Sequence, residues 1–172
     1  MKKIALLLVL CFGASFAQKN NALGLWVGDF SGGWGLDYKR LMGKENTLDI
    51  YLGNFELGDN TSVGIGAGYY WLFNLIKADA SIGRFPLHIG PNVGFGFWSG
   101  TGYSGVDIGV SVAGGISWFT PTTPTMDVSL ELVSPSSGLW HESRDNNNDS
   151  HTSFELFRGN LGLRLLFHVY FF

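Results

Sequence analysis

Beyond residue 17 the chain has no cysteine; its single one, Cys11, lies in the apolar stretch near the N-terminus. Disulfide scaffolds and thiol chemistry are therefore excluded from everything that follows that stretch. Charge is scarce too, at 15% of residues, where ordinary domains carry about 25%. There is no basic excess, since 11 Lys and Arg face 14 Asp and Glu, and that argues against a nucleic-acid partner. Nor does any segment after the N-terminus form an apolar run of the roughly 20 residues that a membrane helix requires. Yet 45% of the chain is hydrophobic and the mean hydropathy is +0.14. These apolar residues must be spread through the chain in some other period.

The N-terminus reads as a secretory leader over residues 1–17. Lys2 and Lys3 precede the apolar Ile4–Phe12 segment, and Ser15-Phe16-Ala17 offers a small-x-small cleavage site. Val9 and Leu10 stand before Cys11, where a lipoprotein signal would want small residues, so the cysteine should leave with the leader. Its removal leaves nine basic against 14 acidic residues, a formal charge of −5. Residues 18–172 then form one domain.

Within that domain the period is two. Val63, Ile65, Ala67 and Tyr69 alternate with Gly64, Gly66, Gly68 and Tyr70. Val106, Ile108, Val110 and Val112 alternate with Asp107, Gly109, Ser111 and Ala113. Such alternation places successive side chains on opposite faces of a strand. The same reading gives eight strands: Ala22–Phe30, Trp34–Leu41, Thr47–Phe55, Thr61–Leu72, Pro86–Trp98, Gly105–Phe119, Thr125–Val133 and Phe154–Phe172. Gly-, Asn- and Pro-bearing segments separate them at Ser31–Gly33, Gly43–Asn46, Gly58–Asn60, Ser99–Ser104 and Thr120–Pro124. Pro91 predicts a bulge or bend in the fifth strand. An even number of long strands fits an all-β, eight-stranded antiparallel up-and-down transmembrane β-barrel.

Residue size indicates which face is inside. The face opposite the apolar one is mostly Gly, Ser and Ala, which suits a crowded interior with room for Trp26, Tyr51 and Trp98. The apolar face is then outward. On the inward face fall Asp37, Lys39, Asp49, Asp107, Asp127, Glu131, Arg158 and Arg164, expected to form a charge network that fills and braces the interior. Aromatics near strand ends suit interfacial girdles: Phe30, Trp34, Phe55, Trp71, Phe73, Phe97, Trp98, Trp118, Phe119, Tyr170, Phe171 and Phe172.

The connections divide unevenly. Ser134–Ser153 reads as a long outer loop, able to meet an extracellular ligand, with the polar run Arg144–Asp149 at its centre. Phe73–Phe85 is too long for a periplasmic turn, so either its flanking strands extend or it folds on the rim. The Asn/Asp run lacks the Gly and terminal Glu of a calcium loop. His88, His141, His151 and His168 lack zinc spacing. Neither metal nor cofactor is expected.

The leader, the Gly/apolar alternation and the final segment Leu161–Phe172 together resemble the small outer-membrane barrel proteins, the group of OmpX and the OmpA membrane domain. The resemblance implies a bacterial outer-membrane location and lipid contact. It also implies partners in periplasmic chaperones and the barrel-assembly machinery, which would read Tyr170, Phe171 and Phe172 as an assembly signal. The apolar stripe Leu161, Leu163, Leu165, Phe167, Val169 and Phe171 sets the lipid face one residue before the last. A structural or surface-interaction role without catalysis follows as the first expectation. His141, Ser143 and Glu155 are similar to the His-x-Ser…Glu arrangement of the lipid A deacylase PagL, which implies an esterase as the alternative. His151-Thr152-Ser153 repeats the His-x-Ser pattern. A soluble periplasmic barrel of lipocalin type is the third possibility.

Overall fold

A computed structural model of the chain describes residues 20–28, 33–56, 61–76, 79, 81–121, 125–144 and 149–171. The leader expected at 1–17, Phe30, residues 145–148 and Phe172 lie outside them. The described residues contain no helix. They form ten strands: β1 (Asn21–Gly28), β2 (Gly33–Leu41), β3 (Asn46–Glu56), β4 (Thr61–Ile76), β5 (Phe85–Gly100), β6 (Tyr103–Phe119), β7 (Met126–Val133), β8 (Ser136–Arg144), β9 (Asp149–Arg158) and β10 (Gly162–Phe171).

Consecutive strands from β1 to β7 pair antiparallel, β7 pairs with β10, and β10 returns to β1, which closes an eight-stranded barrel. Asn21 lies opposite Phe171, so both ends of the barrel chain share one rim, called here the lower. The remaining strands continue two walls upward. β6 pairs with β7 through Ala113–Phe119 and with β8 through Tyr103–Val110. Thus β7 and β8 follow one line broken at Ser134 and Pro135, and β9 and β10 another, broken at 159–161. β9 pairs with β8 on one edge only; among the described residues nothing pairs with its other edge.

This corrects the expected loop at Ser134–Ser153, which is mostly a β-hairpin. It also cuts the expected strand Phe154–Phe172 into two. At Phe73–Phe85 the first alternative holds as far as Ile76, because β4 runs on beyond Leu72. Ser81 N–H then donates to the exposed Asp79 at 2.8 Å, a local turn that holds this carboxyl below its ordinary range. Pro91 produces no shift of register. Its lack of an N–H coincides with a gap in the β4–β5 ladder, but Gly68↔Asn92 and Trp71↔Ile89 flank that gap in one register.

The barrel is apolar on the outside. Among the described residues 35 large hydrophobic side chains are exposed and only nine hydrophobic residues are buried. The exposed ones form hoops along the ladders: Phe167, Leu25, Leu36, Leu52, Ile65, Phe95, Ile108 and Leu139 are successive cross-strand partners. Leu139 then meets Phe154 on β9, far along the chain from Phe167 where the hoop began. Such a displacement after one circuit means that the strands are steeply tilted.

Inside, large residues lie over glycines of neighbouring strands. Trp26 covers Gly35 and Gly53, Tyr51 covers Gly66, and Trp98 covers Gly105; a Cβ at any of these glycines would run into the ring. The girdle expectation needs correction on the same ground. Trp34, Trp71, Phe73, Phe97, Trp118 and Phe171 are exposed, but Phe119 and Tyr170 are buried. Trp98 turns inward as well.

Candidate functional site

The inward face is the place where chemistry-bearing side chains gather, and it has two tiers. In the lower tier Lys39 donates to Asp127 at 3.1 Å and stands 3.7 Å from Asp49. Asp127 also accepts from Ser129 Oγ (3.0 Å) and Tyr170 Oη (3.0 Å), and binds His168 Nδ1 (3.1 Å). His168 Nε2 lies 3.6 Å from Asp37. Ser129 and Ser117 are 2.8 Å apart, and Ser117 meets His88 Nδ1 at 3.1 Å. The other nitrogen of His88 binds Glu131 at 3.0 Å. Arg164 donates to Glu131 at 2.8 Å and to Tyr70 Oη at 3.3 Å, and Tyr70 donates to Asn92 at 2.6 Å.

The strands β2 to β7 and β10 all contribute to this continuous web, and nearly all its members are sealed from solvent. Alternation explains the convergence. Asp127, Ser129 and Glu131 are every second residue of β7, as are Asp37 and Lys39 of β2. Four carboxyl groups, the cationic Lys39 and Arg164, and the imidazoles of His88 and His168 thus share one enclosed volume. In so dry a place each unpaired ion would cost several kcal/mol. The web therefore closes the lower half of the barrel as a polar plug.

Above it the interior opens into a cavity of about 410 Å³. Trp26, Tyr51, Trp140, Asp107, Arg158 and Asn160 line it, and Arg164 forms part of its floor. Arg158 lies over the Trp140 ring, 4.8 Å from its centroid, and 3.5 Å from Glu155. A bulge sets this arrangement. Between Gly138 and Ser136 the partner residue jumps from Glu155 to Arg158. Phe157 takes φ 56°, and its N–H is held by Ser137 Oγ at 3.1 Å. The extra residue reverses the alternation of β9, so that Glu155 before the bulge and Arg158 after it both turn inward.

No family model, curated protein or solved structure matches this chain.

The eight charged residues expected to share one network are thus divided. Asp37, Lys39, Asp49, Asp127, Glu131 and Arg164 meet in the plug, while Asp107 and Arg158 belong to the cavity. Sequence reasoning missed His88 and His168 as members. Their signal was parity: His168 shares its face with Leu166, Arg164 and Tyr170, and His88 with Asn92. Tyr170, expected in the assembly signal, is buried against Asp127, whereas Phe171 points outward.

The residues of the esterase alternative do not converge. His141 and Ser143 occupy the face of β8 opposite the buried Trp140, and His141 Nδ1 bonds Thr152 at 2.8 Å. Glu155 lies on the other face, accepting from Ser153 at 3.0 Å. Ser153 therefore meets the acid directly, without an imidazole between them to take its proton. Among the described residues no cluster of His, Cys, Asp and Glu is arranged to hold a metal ion.

Proposed function

We propose that this chain is a non-enzymatic outer-membrane barrel protein, of the architecture shared by OmpX and the OmpA membrane domain, with a structural or surface-interaction role. The observation that carries the reading is the exposed apolar surface around a closed barrel with a polar interior. A water-soluble monomer rarely exposes a contiguous apolar patch beyond about 300–600 Å², while hoops of Leu, Ile, Val and Phe around the whole circumference match a lipid-facing band. Closure matters equally, because a barrel satisfies its backbone without water. A lipocalin-type barrel would place its apolar face inward, so the outward hoops weigh against that reading. On this proposal the outer-membrane lipid is the barrel's solvent. Chaperones and the assembly machinery deliver it, and the β8–β9 hairpin is the part offered to an extracellular ligand.

The test is cell fractionation together with gel migration before and after boiling. Recovery in the outer-membrane fraction, with faster migration of the unboiled band, is expected. A protein that stays in solution without detergent after leader removal would refute the proposal.

A further inference from the structure

Neither the plug nor the closure of the barrel accounts for the connection between β4 and β5 at the lower rim. β3 begins at Asn46, opposite Trp71, and β4 runs on past that pair to Ile76. This overhang is apolar and bare: Phe73 and Ile76 are exposed, and Leu75 is 71% exposed. The returning chain is fastened to the outer wall. Trp118, on the outer face of β6, donates its indole N–H to the Ile82 carbonyl at 2.8 Å. Its ring stacks on Phe85 with centroids 6.2 Å apart and planes 5° from parallel. Ile82 N–H donates to the Asp79 carbonyl at 3.0 Å, and Arg84 exchanges both backbone bonds with Phe119, at 3.1 and 2.9 Å. Gly83 lies between them at φ 98°, where a Cβ would strike the Phe119 carbonyl, so this close approach needs glycine. The side chains then separate by polarity. Arg84 lies over the ring of the buried Phe119, 4.3 Å from its centroid, whereas Ile82 is 53% exposed. These backbone groups are paired within the protein, as hydrocarbon demands of any segment that enters it. The indole N–H, which ordinarily holds a tryptophan at the headgroup level, is also taken up.

We infer that residues 81–85 and the overhang of β4 form a foot seated in the lower leaflet, among the acyl chains of phospholipid, and that Trp118 holds it there. This rests on the membrane proposal and extends it to a connection, where a short turn in water is the rule. Continuity with the apolar band favours lipid over a protein partner. The cross-strand pairs Trp71–Ile89 and Phe73–Leu87 carry the outer surface of the barrel down into the foot. The β2–β3 turn of the same rim differs, because beside Met42 it exposes Lys44 and Glu45 and so belongs in water.

Beyond residue 17 there is no cysteine, so single cysteines can each carry one nitrobenzoxadiazole label. The test places them by Leu75→Cys and Ile82→Cys in the foot, Phe167→Cys on the barrel wall and Lys44→Cys on the β2–β3 turn. Each protein is refolded into phosphatidylcholine vesicles, with and without nitroxide-bearing acyl chains, and titrated with iodide from the aqueous side. The two foot labels should be quenched by the nitroxide lipid twofold or more beyond the Lys44→Cys label, as the wall label is, and iodide should reach the Lys44→Cys label alone. Adding Trp118→Phe keeps a ring against Phe85 but removes the donor. It should open the Ile82→Cys label to iodide and leave the Phe167→Cys label unchanged. Heat-modifiable migration shows which variants have folded; if one foot variant does not, the other decides. The inference is overturned if a folded foot label responds as Lys44→Cys does while Phe167→Cys responds as lipid-bound. An Ile82→Cys label indifferent to Trp118→Phe would overturn the role given to Trp118. Iodide quenching of the Phe167→Cys label as well would sink the membrane proposal itself, so the two failures are distinguishable.

Discussion

Lys39→Met is the sharpest test of the plug. Lys39 is 3% exposed and serves Asp127 on β7 and Asp49 on β3 from its own place on β2. Methionine keeps the length and apolar stem of the side chain but removes the charge, leaving two buried carboxylates without their shared cation. Attraction over such distances is several kcal/mol even at an effective dielectric of about 20, but the desolvation of all three groups opposes it. Loss of one partner from a buried pair costs about 3–5 kcal/mol, chiefly through the ions left behind. Urea unfolding of micelle-refolded protein, followed by tryptophan fluorescence, measures that cost. With a slope of about 2 kcal/mol per molar, the midpoint should fall by about 2 M. Lys44→Met, at an exposed turn position, should shift stability by less than about 0.5 kcal/mol. Adding Asp49→Asn and Asp127→Asn to Lys39→Met should recover part of the loss. A Lys39→Met protein within about 1 kcal/mol of wild type, as for an exposed ion pair, would refute the view that the web is dry and mutually compensated.

Three further outcomes are expected. Phe167→Arg places a charge on the outer face between Leu25 and Val128, midway along the β1–β10 ladder; in lipid vesicles it should cost about 2–4 kcal/mol by urea titration, and an unchanged midpoint would count against lipid contact. Gly66→Val drives a side chain into the Tyr51 ring and should cost about 1–3 kcal/mol; Tyr51→Ala in the same chain should restore the folded, heat-modifiable band, and failure to do so would place the strain elsewhere. Phe157→Asn relieves a positive φ of 56° and should gain about 1 kcal/mol by the same unfolding assay, whereas a loss would show that the exposed ring contributes more than the backbone strain.

The sequence disclosed what rests on contrast between faces. Leu161 to Phe171 and Val106 to Val112 alternate apolar with small or polar residues, and both emerged with the expected parity. So did the pairing of glycine with Trp26, Tyr51 and Trp98. Contrast fails above the apolar band. In Ser136–Arg144 and Asp149–Ser153 polar residues occupy both faces, and a strand with no face to bury looks like a loop. The bulge at Phe157 was hidden for a related reason, because a one-residue change of parity shows only when the strands on both sides of it are known. The two tiers depend on height along the barrel axis, which follows from strand tilt and register rather than from alternation. His88 and His168 share the inward parity, but they are far apart in sequence, and only the closed ladder of strands brings both beside the carboxyl groups of β7.

The unequal strand lengths carry one more consequence. β1, β2 and β10 have 8, 9 and 10 residues, close to the 9–11 or so that cross a bilayer at a tilt. β4, β5 and β6 have 16, 16 and 17. At about 3.3 Å per residue and a tilt near 40°, the surplus amounts to roughly 18 Å of wall shared between the two rims. On the proposed insertion, β9 cannot sit in hydrocarbon with one edge of N–H and C=O groups unpaired among the described residues. The waterline must then pass close to Gly28 and Arg164, where the β1–β10 ladder ends. On that proposal the barrel carries its own draught mark: on one side its wall stops at the surface, and on the other a sheet, one edge of which pairs with nothing among the described residues, stands clear of it.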